Sequence, residues 1–190
     1  MQQTVSTSNH KPLLVPRIPE GDEAMVDGIL KNIEDYVGYV PDGLRLYSIS
    51  PPLLENHVRN IVYFNMGGTT LPRPLCTMIR YLVSWHAGCS FCIDLNEAFM
   101  LDMDYSLEEV RAARDNPDVA PLAERERVLL KFAVRAVDDP GSISEADMEE
   151  VRNHGWTDRE IFDAVAQAAG NRSFNIMLRT FKVEHQGDLS

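Results

Sequence analysis

Apolar residues recur along the chain at intervals of three and four positions, the spacing of one face of an α-helix. One series follows Ser50-Pro51, where a serine N-cap precedes a proline in the first turn, and it ends at Gly67-Gly68. A second series begins at Pro72 and ends at Gly88. Each series predicts an amphipathic helix, and the apolar residues are Leu54, Val58, Ile61 and Phe64, then Leu75, Met78, Ile79, Leu82 and Val83.

Further helix starts are marked by capping boxes, in which a Ser or Thr is followed three residues later by an acid. The pairs are Ser106 with Glu109, Ser144 with Asp147, and Thr157 with Glu160. Pro121 predicts another helix, which ends at the turn formed by residues 138–141. No segment alternates convincingly between apolar and polar residues, and none carries a hairpin signal. We therefore predict an all-α fold.

Length and composition fit one compact domain or two small ones, because 190 residues with 44% hydrophobic side chains can bury a sizeable core. Residues 1–19 are polar and contain prolines at positions 12, 16 and 19, which predicts an N-terminal arm. We expect the helical domain at residues 20–185, followed by a short C-terminal tail at residues 186–190.

The charge balance argues against nucleic acid as a partner. Acidic residues outnumber basic ones by 29 to 18, and no run of Lys or Arg could follow a phosphate backbone. No apolar stretch reaches the roughly 18 to 20 residues that cross a bilayer, and the N-terminus lacks the apolar region of a secretory signal. We expect a soluble cytoplasmic protein that does not bind membranes.

A pair of cysteines at C-x-x-C spacing is the strongest chemical signal. Cys89 and Cys92 open a predicted helix that continues to about Met103, and the unpaired N–H groups and dipole of its first turn favour a thiolate. In a reducing compartment such a pair is more often catalytic or metal-binding than structural. Helical spacing puts one stripe through both thiols, and it comprises Cys89, Cys92, Asn96, Phe99, Met100 and Met103.

His86 lies three residues before Cys89 and has two interpretations. It is either a hydrogen-bonded histidine at a helix end or an acid–base group for the thiols. Together with Cys89 and Cys92 it offers three ligands for zinc or copper, but a closed zinc site needs a fourth, so we predict no metal. Cys76 is most simply a small buried apolar residue.

Several sequence blocks follow one another in a characteristic order. They are Val40-Pro41, residues 50–54, Met66-Gly67-Gly68, Leu71-Pro72-Arg73, residues 88–95, and in the second half residues 122–127, 144–155, 157–161 and 171–178. In these blocks and their order the chain resembles the alkylhydroperoxidase D (AhpD) and carboxymuconolactone decarboxylase superfamily over about residues 21–184. The resemblance implies an AhpD-like helical bundle that self-associates as a dimer, trimer or hexamer, and we expect no cofactor.

Two apolar segments, at residues 162–169 and 174–181, are candidates for the interface between subunits. Between them lies Gly170-Asn171-Arg172, which resembles a break or a close-packing point in a long terminal helix.

For the cysteines, the resemblance to the peroxidase branch implies a division of roles. Cys92 would attack the peroxide oxygen, and Cys89 would resolve the sulfenic acid to a disulfide. A hydroperoxide is then the substrate, an organic one because the stripe beyond Asn96 is apolar. An unidentified thiol or dithiol donor must reduce the disulfide.

The chain departs from the family pattern at every ionisable position of the proton relay. A glutamate and two histidines are replaced by Thr77, Phe91 and Asn96. The candidate substitutes are His86, Asp94 and Glu97, together with Tyr81 as a hydrogen-bond donor. Helical phase puts Asp94 and Glu97 off the thiol stripe, so we expect both on a solvated or inter-subunit face.

Three functions are compatible with these residues. We favour a thiol-dependent peroxidase that cycles between dithiol and disulfide with a weakened proton relay. The second is a dithiol protein that transfers electrons to a partner or senses oxidation, with little peroxidase activity of its own. The third is a structural or small-molecule-binding member of the superfamily in which the cysteine pair is inert.

Overall fold

The computed structural model describes residues 11–189, which contain α-helices and short 3-10 turns but no β-strand. This confirms the predicted all-α fold. The first ten residues of the predicted arm, and Ser190 of the predicted tail, lie outside the described residues. The helices are α1 (Glu23–Val37), α2 (Asp42–Tyr47), α3 (Pro51–Asn65), α4 (Arg73–Ala87), α5 (Ser90–Leu101), α6 (Leu107–Ala112), α7 (Glu124–Asp138), α8 (Glu145–Asn153) and α9 (Asp158–Phe181).

All three predicted capping boxes are present. The side chains of Ser106, Ser144 and Thr157 each accept the backbone N–H three residues on, and the acid at that position accepts the N–H of the capping residue. These reciprocal bonds satisfy N–H groups that a helix start otherwise leaves without a partner. The starts of α6, α8 and α9 are therefore determined by local sequence.

Two predicted boundaries are wrong by two or three residues. Helix α7 begins at Glu124 rather than at Pro121, because the Glu126 carboxylate accepts the N–H of Ala123 and makes that residue the N-cap. Helix α5 ends at Leu101 rather than near Met103. The chain turns there through Asp104, whose φ of 65° lies in the left-handed region and cannot continue a helix.

The predicted break at Gly170-Asn171-Arg172 is absent, since α9 runs without interruption from Asp158 to Phe181. A Cβ on Gly170 would meet only the Asn60 amide oxygen at 3.8 Å, an ordinary contact distance. Gly170 is therefore neither a helix break nor a point of unusually close packing.

The chain divides into two compact units, one of which is Arg59–Ile176. The core of this unit is built around α4, which packs against α5 and α7. Each large side chain that is fully buried in this way contributes about 1.5 to 3 kcal/mol. The buried residues of α4 are Leu75, Cys76, Thr77, Met78, Ile79, Tyr81, Leu82, Val83 and Ser84.

The other unit consists of the described residues up to Val58 and those from Met177 onward. Its amino- and carboxyl-terminal segments are hydrogen-bonded to each other. The buried Asp42 carboxylate accepts the N–H groups of Gly187 and Leu189 over 2.7 and 3.0 Å. The N–H of Leu13 donates to the carbonyl of Phe181 over 2.9 Å. Within residues 11–189, no helix is both long enough and apolar enough to cross a membrane.

A tight turn at Gly67 and Gly68 follows α3. Gly67 has a φ of 89°, and the N–H groups of Gly68 and Thr69 both donate to the Tyr63 carbonyl. A Cβ on Gly68 would lie 2.8 Å from that carbonyl oxygen and closer still to the Tyr63 ring. The Tyr63 hydroxyl donates to Asp163 over 2.9 Å, so the ring is held where it is. Only glycine fits at position 68.

We expect Gly68→Ala to lower the free energy of unfolding by about 1 to 3 kcal/mol, the usual range for an added methyl group without space. The matched control is Gly28→Ala, in the interior of α1, where nothing lies within 4 Å of a new Cβ. That change should raise stability by about 0.5 to 1 kcal/mol. Urea unfolding of the two variants measures both values, and equal stabilities would contradict this account of the turn.

Candidate dithiol redox site

The dithiol lies at the junction of α4 and α5, where the chain turns at Gly88. Gly88 has a left-handed φ of 66°, which glycine adopts without strain. Its N–H donates to the carbonyl of Trp85, and the N–H of Cys89 donates to the carbonyl of Ser84, each over 3.0 Å. These two bonds form a Schellman motif. Only two residues, Gly88 and Cys89, separate the end of α4 from the start of α5.

The two thiols meet at the first turn of α5. Cys89 is the N-cap, with extended backbone, and Cys92 is the third residue of the helix. The Cys89 sulfur lies 2.8 Å from the Cys92 sulfur, both side chains are buried, and no disulfide joins them. Because a disulfide S–S bond is about 2.05 Å long, bond formation requires only a local movement.

The predicted stripe below the thiols faces inward. Asn96 and Met100 are buried, while Phe99 and Met103 are partly buried. Met100 belongs to the core around α4, and Met103 packs against that core from the turn after α5. The stripe below the thiols is therefore apolar except for Asn96.

Asn96 lies one turn beyond Cys92, and both ends of its amide are hydrogen-bonded. Its Nδ2 donates to the backbone carbonyl of Cys92 over 2.8 Å. Its Oδ1 accepts from Nε of Arg80, on α4, over 3.0 Å. Because arginine can only donate, the amide oxygen must point towards Arg80. Asn96 thus connects the first turn of α5 to α4.

Arg80 also contacts Thr77, another of the three residues that stand where the family pattern has an ionisable group. Its Nη2 donates to the Thr77 hydroxyl over 3.1 Å, and that hydroxyl donates to the Arg73 carbonyl over 3.0 Å. The third such residue, Phe91, is buried. Sequence reasoning missed Arg80, although it is the one charged residue within residues 75–84, an otherwise buried series.

His86 is paired with an aspartate on α7. Its Nδ1 lies 2.5 Å from a carboxylate oxygen of Asp138, and the other carboxylate oxygen accepts from Nη2 of Arg172 over 3.3 Å. About a third of the His86 side chain is exposed. A neutral His86 that donates from Nδ1 keeps Nε2 as a proton acceptor. Sequence reasoning treated Asp138 only as the end of a helix.

The prediction for Glu97 is wrong, because this side chain is buried rather than solvated. The Tyr81 hydroxyl donates to its Oε1 over 2.9 Å. Arg111 donates to both carboxylate oxygens over 2.9 and 2.7 Å, and Arg114 donates to Oε1 over 2.7 Å. These contacts join α4, α5 and α6. Asp94 is exposed, in agreement with its helical phase.

The contacts among Glu97, Tyr81, Arg111 and Arg114, here called the Glu97 cluster, keep the Glu97 carboxylate charged and the Tyr81 phenol neutral. Burial raises the pKa of Glu97, but hydrogen bonds from Arg111 and Tyr81 and the two arginine charges outweigh burial, so the pKa lies below 4.5. Burial, with the hydrogen bond to Glu97 and the charge of that carboxylate, raises the pKa of Tyr81 to about 12. Arg114 also stacks 4.0 Å from the Trp85 ring centre. The Tyr81 hydroxyl and the Glu97 carboxylate are thus both hydrogen-bonded within this cluster.

Cys76 is buried on α4, as predicted. Burial raises the pKa of its thiol to about 11, with Asp163 adding to the shift and Arg80 opposing it. Such a thiol stays protonated at neutral pH and is a poor nucleophile. In the described part of the chain, no group of three or more His, Cys, Asp or Glu side chains is arranged to hold a metal ion.

Comparison with solved structures shows that the chain has the AhpD-like fold. An uncharacterized peroxidase-related protein from Silicibacter sp. TM1040 matches with a TM-score of 0.83 and 22% identity, covering 97% of this chain and 96% of that one. An AhpD-core, peroxidase-related protein from Ralstonia eutropha JMP134 matches with a TM-score of 0.80 and 20% identity, covering 96% of each.

A third structure is named for a different activity. It is a cysteine-to-alanine variant of the debrominase Bmp8 in complex with 2,3,4-tribromopyrrole, with a TM-score of 0.70, 16% identity, and coverage of 97% of this chain and 95% of that one. No family model and no curated protein matches the sequence. The AhpD-like fold that the sequence resemblance implied is confirmed by the likeness to these solved structures.

We expect Glu97→Gln to lower the free energy of unfolding by about 3 kcal/mol, because it leaves Arg111 and Arg114 beside a neutral side chain. The matched control is Asp94→Asn, one turn earlier and exposed, which should change stability by less than about 0.5 kcal/mol.

The difference in unfolding free energy between the wild type and Glu97→Gln should depend on pH. The depressed pKa of Glu97 contributes stability that is present above pH 4.5, the ordinary pKa, and is lost as pH falls through the folded value. The gap between wild type and Glu97→Gln should therefore narrow below pH 4.5 in unfolding experiments. A gap that stays constant down to acid pH would contradict the ion-pair account.

Proposed function

We propose that the protein is a thiol-dependent peroxidase-type oxidoreductase. The observation that carries this proposal is the pair of reduced, buried sulfurs 2.8 Å apart at the amino end of α5. The AhpD-like fold supports it, as do the peroxidase-related names of two structural neighbours. The chemistry demands a nucleophilic thiolate and a second thiol within reach. The first is supported by the position of Cys92 in the first turn of α5, and the second by the short distance to the Cys89 sulfur.

In the first step, the Cys92 thiolate attacks one oxygen of a hydroperoxide. A sulfur–oxygen bond forms, the oxygen–oxygen bond breaks, and the leaving alkoxide takes a proton to become an alcohol. Cys92 is thereby oxidised by two electrons to the sulfenic acid. Its position in the first turn of α5 favours the attacking form, because helix N–H groups and the dipole stabilise a thiolate there.

In the second step, the Cys89 sulfur attacks the Cys92 sulfenic sulfur. The sulfur–sulfur bond forms, the sulfur–oxygen bond breaks, and hydroxide leaves with the Cys89 proton as water. The sum is one hydroperoxide and two thiols converted to an alcohol, water and a disulfide. An external thiol or dithiol then returns two electrons by exchange, and a reducing compartment such as the cytoplasm supplies donors of this class.

We propose an organic hydroperoxide as the substrate class. The stripe that continues from the thiols carries the partly buried side chains of Phe99 and Met103, which offer dispersion contacts and few hydrogen bonds. Burial of both sulfurs also favours a small oxidant over a protein disulfide, because a partner's disulfide must reach the attacking sulfur directly.

His86 and Asn96 complete the proposed site. The alkoxide and hydroxide that leave must be protonated, and we assign this proton transfer to His86, whose ring is held by its contact with Asp138. Asn96 holds the backbone of the Cys92 turn through its amide and does not itself transfer a proton. The carboxylate of Glu97 is engaged by two arginines and is assigned no role in the chemistry.

A second candidate follows from the structural likeness to the debrominase. Replacement of bromine on an aromatic carbon by hydrogen is a two-electron reduction. The carbon–bromine bond breaks, a carbon–hydrogen bond and the disulfide form, and bromide leaves with the second thiol proton. The same dithiol supplies both electrons.

We expect the reduced protein to consume one equivalent of cumene hydroperoxide and to form the Cys89–Cys92 disulfide. Cys92→Ser should abolish consumption. Cys89→Ser should consume peroxide but stop at a sulfenic acid that dimedone traps. Cys76→Ser is the matched control, because its buried thiol should leave the reaction unchanged. Peptide mass spectrometry with time-resolved thiol trapping measures each species.

Other outcomes select among the alternatives. Bromide release from tribromopyrrole without peroxide consumption would overturn the peroxidase function and support a reductive dehalogenase. Thiols that resist peroxide but exchange with an oxidised thioredoxin would indicate an electron carrier or sensor. Thiols that react with none of these reagents would overturn a redox function.

We also propose that the subunit self-associates through α9. Phe162 and Ile176 are 72% and 56% exposed and lie fourteen positions apart, about four helical turns, so they share one face. Exposed apolar side chains at this spacing are typical of a helix that packs against another subunit.

Phe162→Glu should therefore shift the protein to monomer, because it buries a charge in the interface. Size-exclusion chromatography with light scattering measures the mass. Val119→Glu, an equally conspicuous exposed apolar residue outside α9, is the control and should leave the mass unchanged. A wild-type protein that is monomeric at high concentration would contradict the proposal.

A further inference from the structure

Three side chains in contact connect α9, α7 and α4 beside the candidate site. Arg172, on α9, donates from Nη2 to Oδ1 of Asp138 over 3.3 Å. The other carboxylate oxygen of Asp138, the last residue of α7, lies 2.5 Å from Nδ1 of His86, in the last turn of α4. Each of the three side chains is about 30% exposed. The Asp138 carboxylate is therefore held through one oxygen and contacts the imidazole with the other.

The neighbour of Arg172 on α9 supports the other part of the site. Asn171 donates from Nδ2 to the Ser84 hydroxyl over 2.9 Å, and the Ser84 carbonyl accepts the N–H of Cys89 over 3.0 Å. The sequence predicted a helix break in this segment, but α9 is continuous there. Two consecutive residues of α9 instead contact the residues that support the dithiol turn and His86.

The contact with Asp138 determines where His86 carries its proton. An ionised carboxylate can only accept a hydrogen bond, so the hydrogen between the two groups belongs to Nδ1. The neutral imidazole then has Nε2 as its proton acceptor. An imidazole without such a partner exchanges between two tautomers, and in one of them Nε2 is already protonated. Arg172 restricts rotation of the carboxylate because it binds the second oxygen.

His86 belongs to the same backbone turn as the dithiol. It lies three residues before Cys89, which limits the distance between their Cα atoms to about 11 Å. The carbonyl of the next residue back, Trp85, accepts the N–H of Gly88 over 3.0 Å and so constrains the chain between them. Because the sulfurs of Cys89 and Cys92 are 2.8 Å apart, a group that serves one thiol is also close to the other.

We propose that Asp138 and Arg172 are positioning residues, which hold His86 as the Nδ1–H tautomer and so present Nε2 as the proton acceptor of the dithiol. As the disulfide forms, Nε2 takes the proton of the attacking Cys89 thiol and returns it to the hydroxide that leaves Cys92. The imidazole therefore ends each turnover unchanged. This inference rests on the proposed function in assigning the proton transfer to His86, and Asp138 and Arg172 act only through that ring.

The first measurement is the tautomer of His86, read from ¹⁵N–¹H correlation spectra of the reduced protein with labelled histidines at about pH 8.5, where an ordinary histidine is neutral. The chain has five histidines, and the signals lost in His86→Gln identify this ring. The wild type should carry the proton on Nδ1. Asp138→Ala should give a mixture of tautomers, and Arg172→Gln a smaller change in the same direction.

Two further variants separate the carboxylate from its surroundings. Asp138→Glu restores a carboxylate and should return the proton to Nδ1. Asp139→Ala removes the exposed carboxylate of the adjacent residue, and this matched control should leave the spectrum unchanged.

The second measurement is the rate of disulfide formation with one equivalent of cumene hydroperoxide, followed by thiol trapping. Asp138→Ala should slow it by about tenfold or more, a part of the roughly 10²–10⁴-fold that general acid–base catalysis contributes. Added to His86→Gln, the same change should have no further effect, because Asp138 acts through His86. Equal slowing in both backgrounds would indicate a merely structural role and overturn the proposal.

The two measurements distinguish failure of this proposal from failure of the proposed function. Wild-type protein that ignores peroxide while Asp138→Ala alters the tautomer would overturn the peroxidase function and support the hold on His86. An unaltered tautomer or an unaltered rate in Asp138→Ala, with a reactive wild type, would overturn the proposal and leave the peroxidase function standing. Circular dichroism checks that each variant folds, and Arg172→Gln gives both measurements if Asp138→Ala does not fold.

Discussion

The site depends on the backbone turn that joins α4 to α5, and Ser84 is the residue at which its bonds meet. The Ser84 carbonyl accepts the N–H of Cys89 over 3.0 Å. Its buried hydroxyl accepts from the Asn171 amide over 2.9 Å and from the Asn175 amide over 3.3 Å, both on α9. Three helices thus converge on one residue. Four residues later Gly88 turns the chain, and Cys89 lies opposite Cys92 with the two sulfurs 2.8 Å apart.

Two arginine-centred groups hold α5 against its neighbours. Glu97 accepts from Arg111 and Arg114 and from the Tyr81 hydroxyl, so this group joins α5 to α4 and α6. Arg80 donates to the side chains of Thr77 and Asn96, and Asn96 donates to the Cys92 carbonyl. The second group therefore joins the first turn of α5 to α4.

How much of the structure could be predicted from the sequence depends on how far apart along the chain the interacting residues lie. The capping boxes and the Gly88 turn act within a few residues, so their pattern predicts helix starts and ends directly. Arg80, Asp138 and the burial of Glu97 could not be predicted in this way, since their partners lie 16, 52 and 14 to 17 positions away. Helical phase alone put Glu97 on the surface, because it does not include the arginines that α6 and the turn after it bring to that face.

The absence of ionisable residues at positions 77, 91 and 96 is compatible with dithiol chemistry because the overall reaction consumes no protons. The two protons that leave the thiols are the two that the alkoxide and the hydroxide require. A site of this kind needs a way to stabilise the thiolate and a group that moves the released proton, and the two tasks need not fall on one residue. The first turn of α5 suits the first task, because helix N–H groups and the helix dipole stabilise a thiolate there. His86, held by Asp138, suits the second, because an imidazole carries two ring nitrogens, one able to donate a proton and the other to accept one.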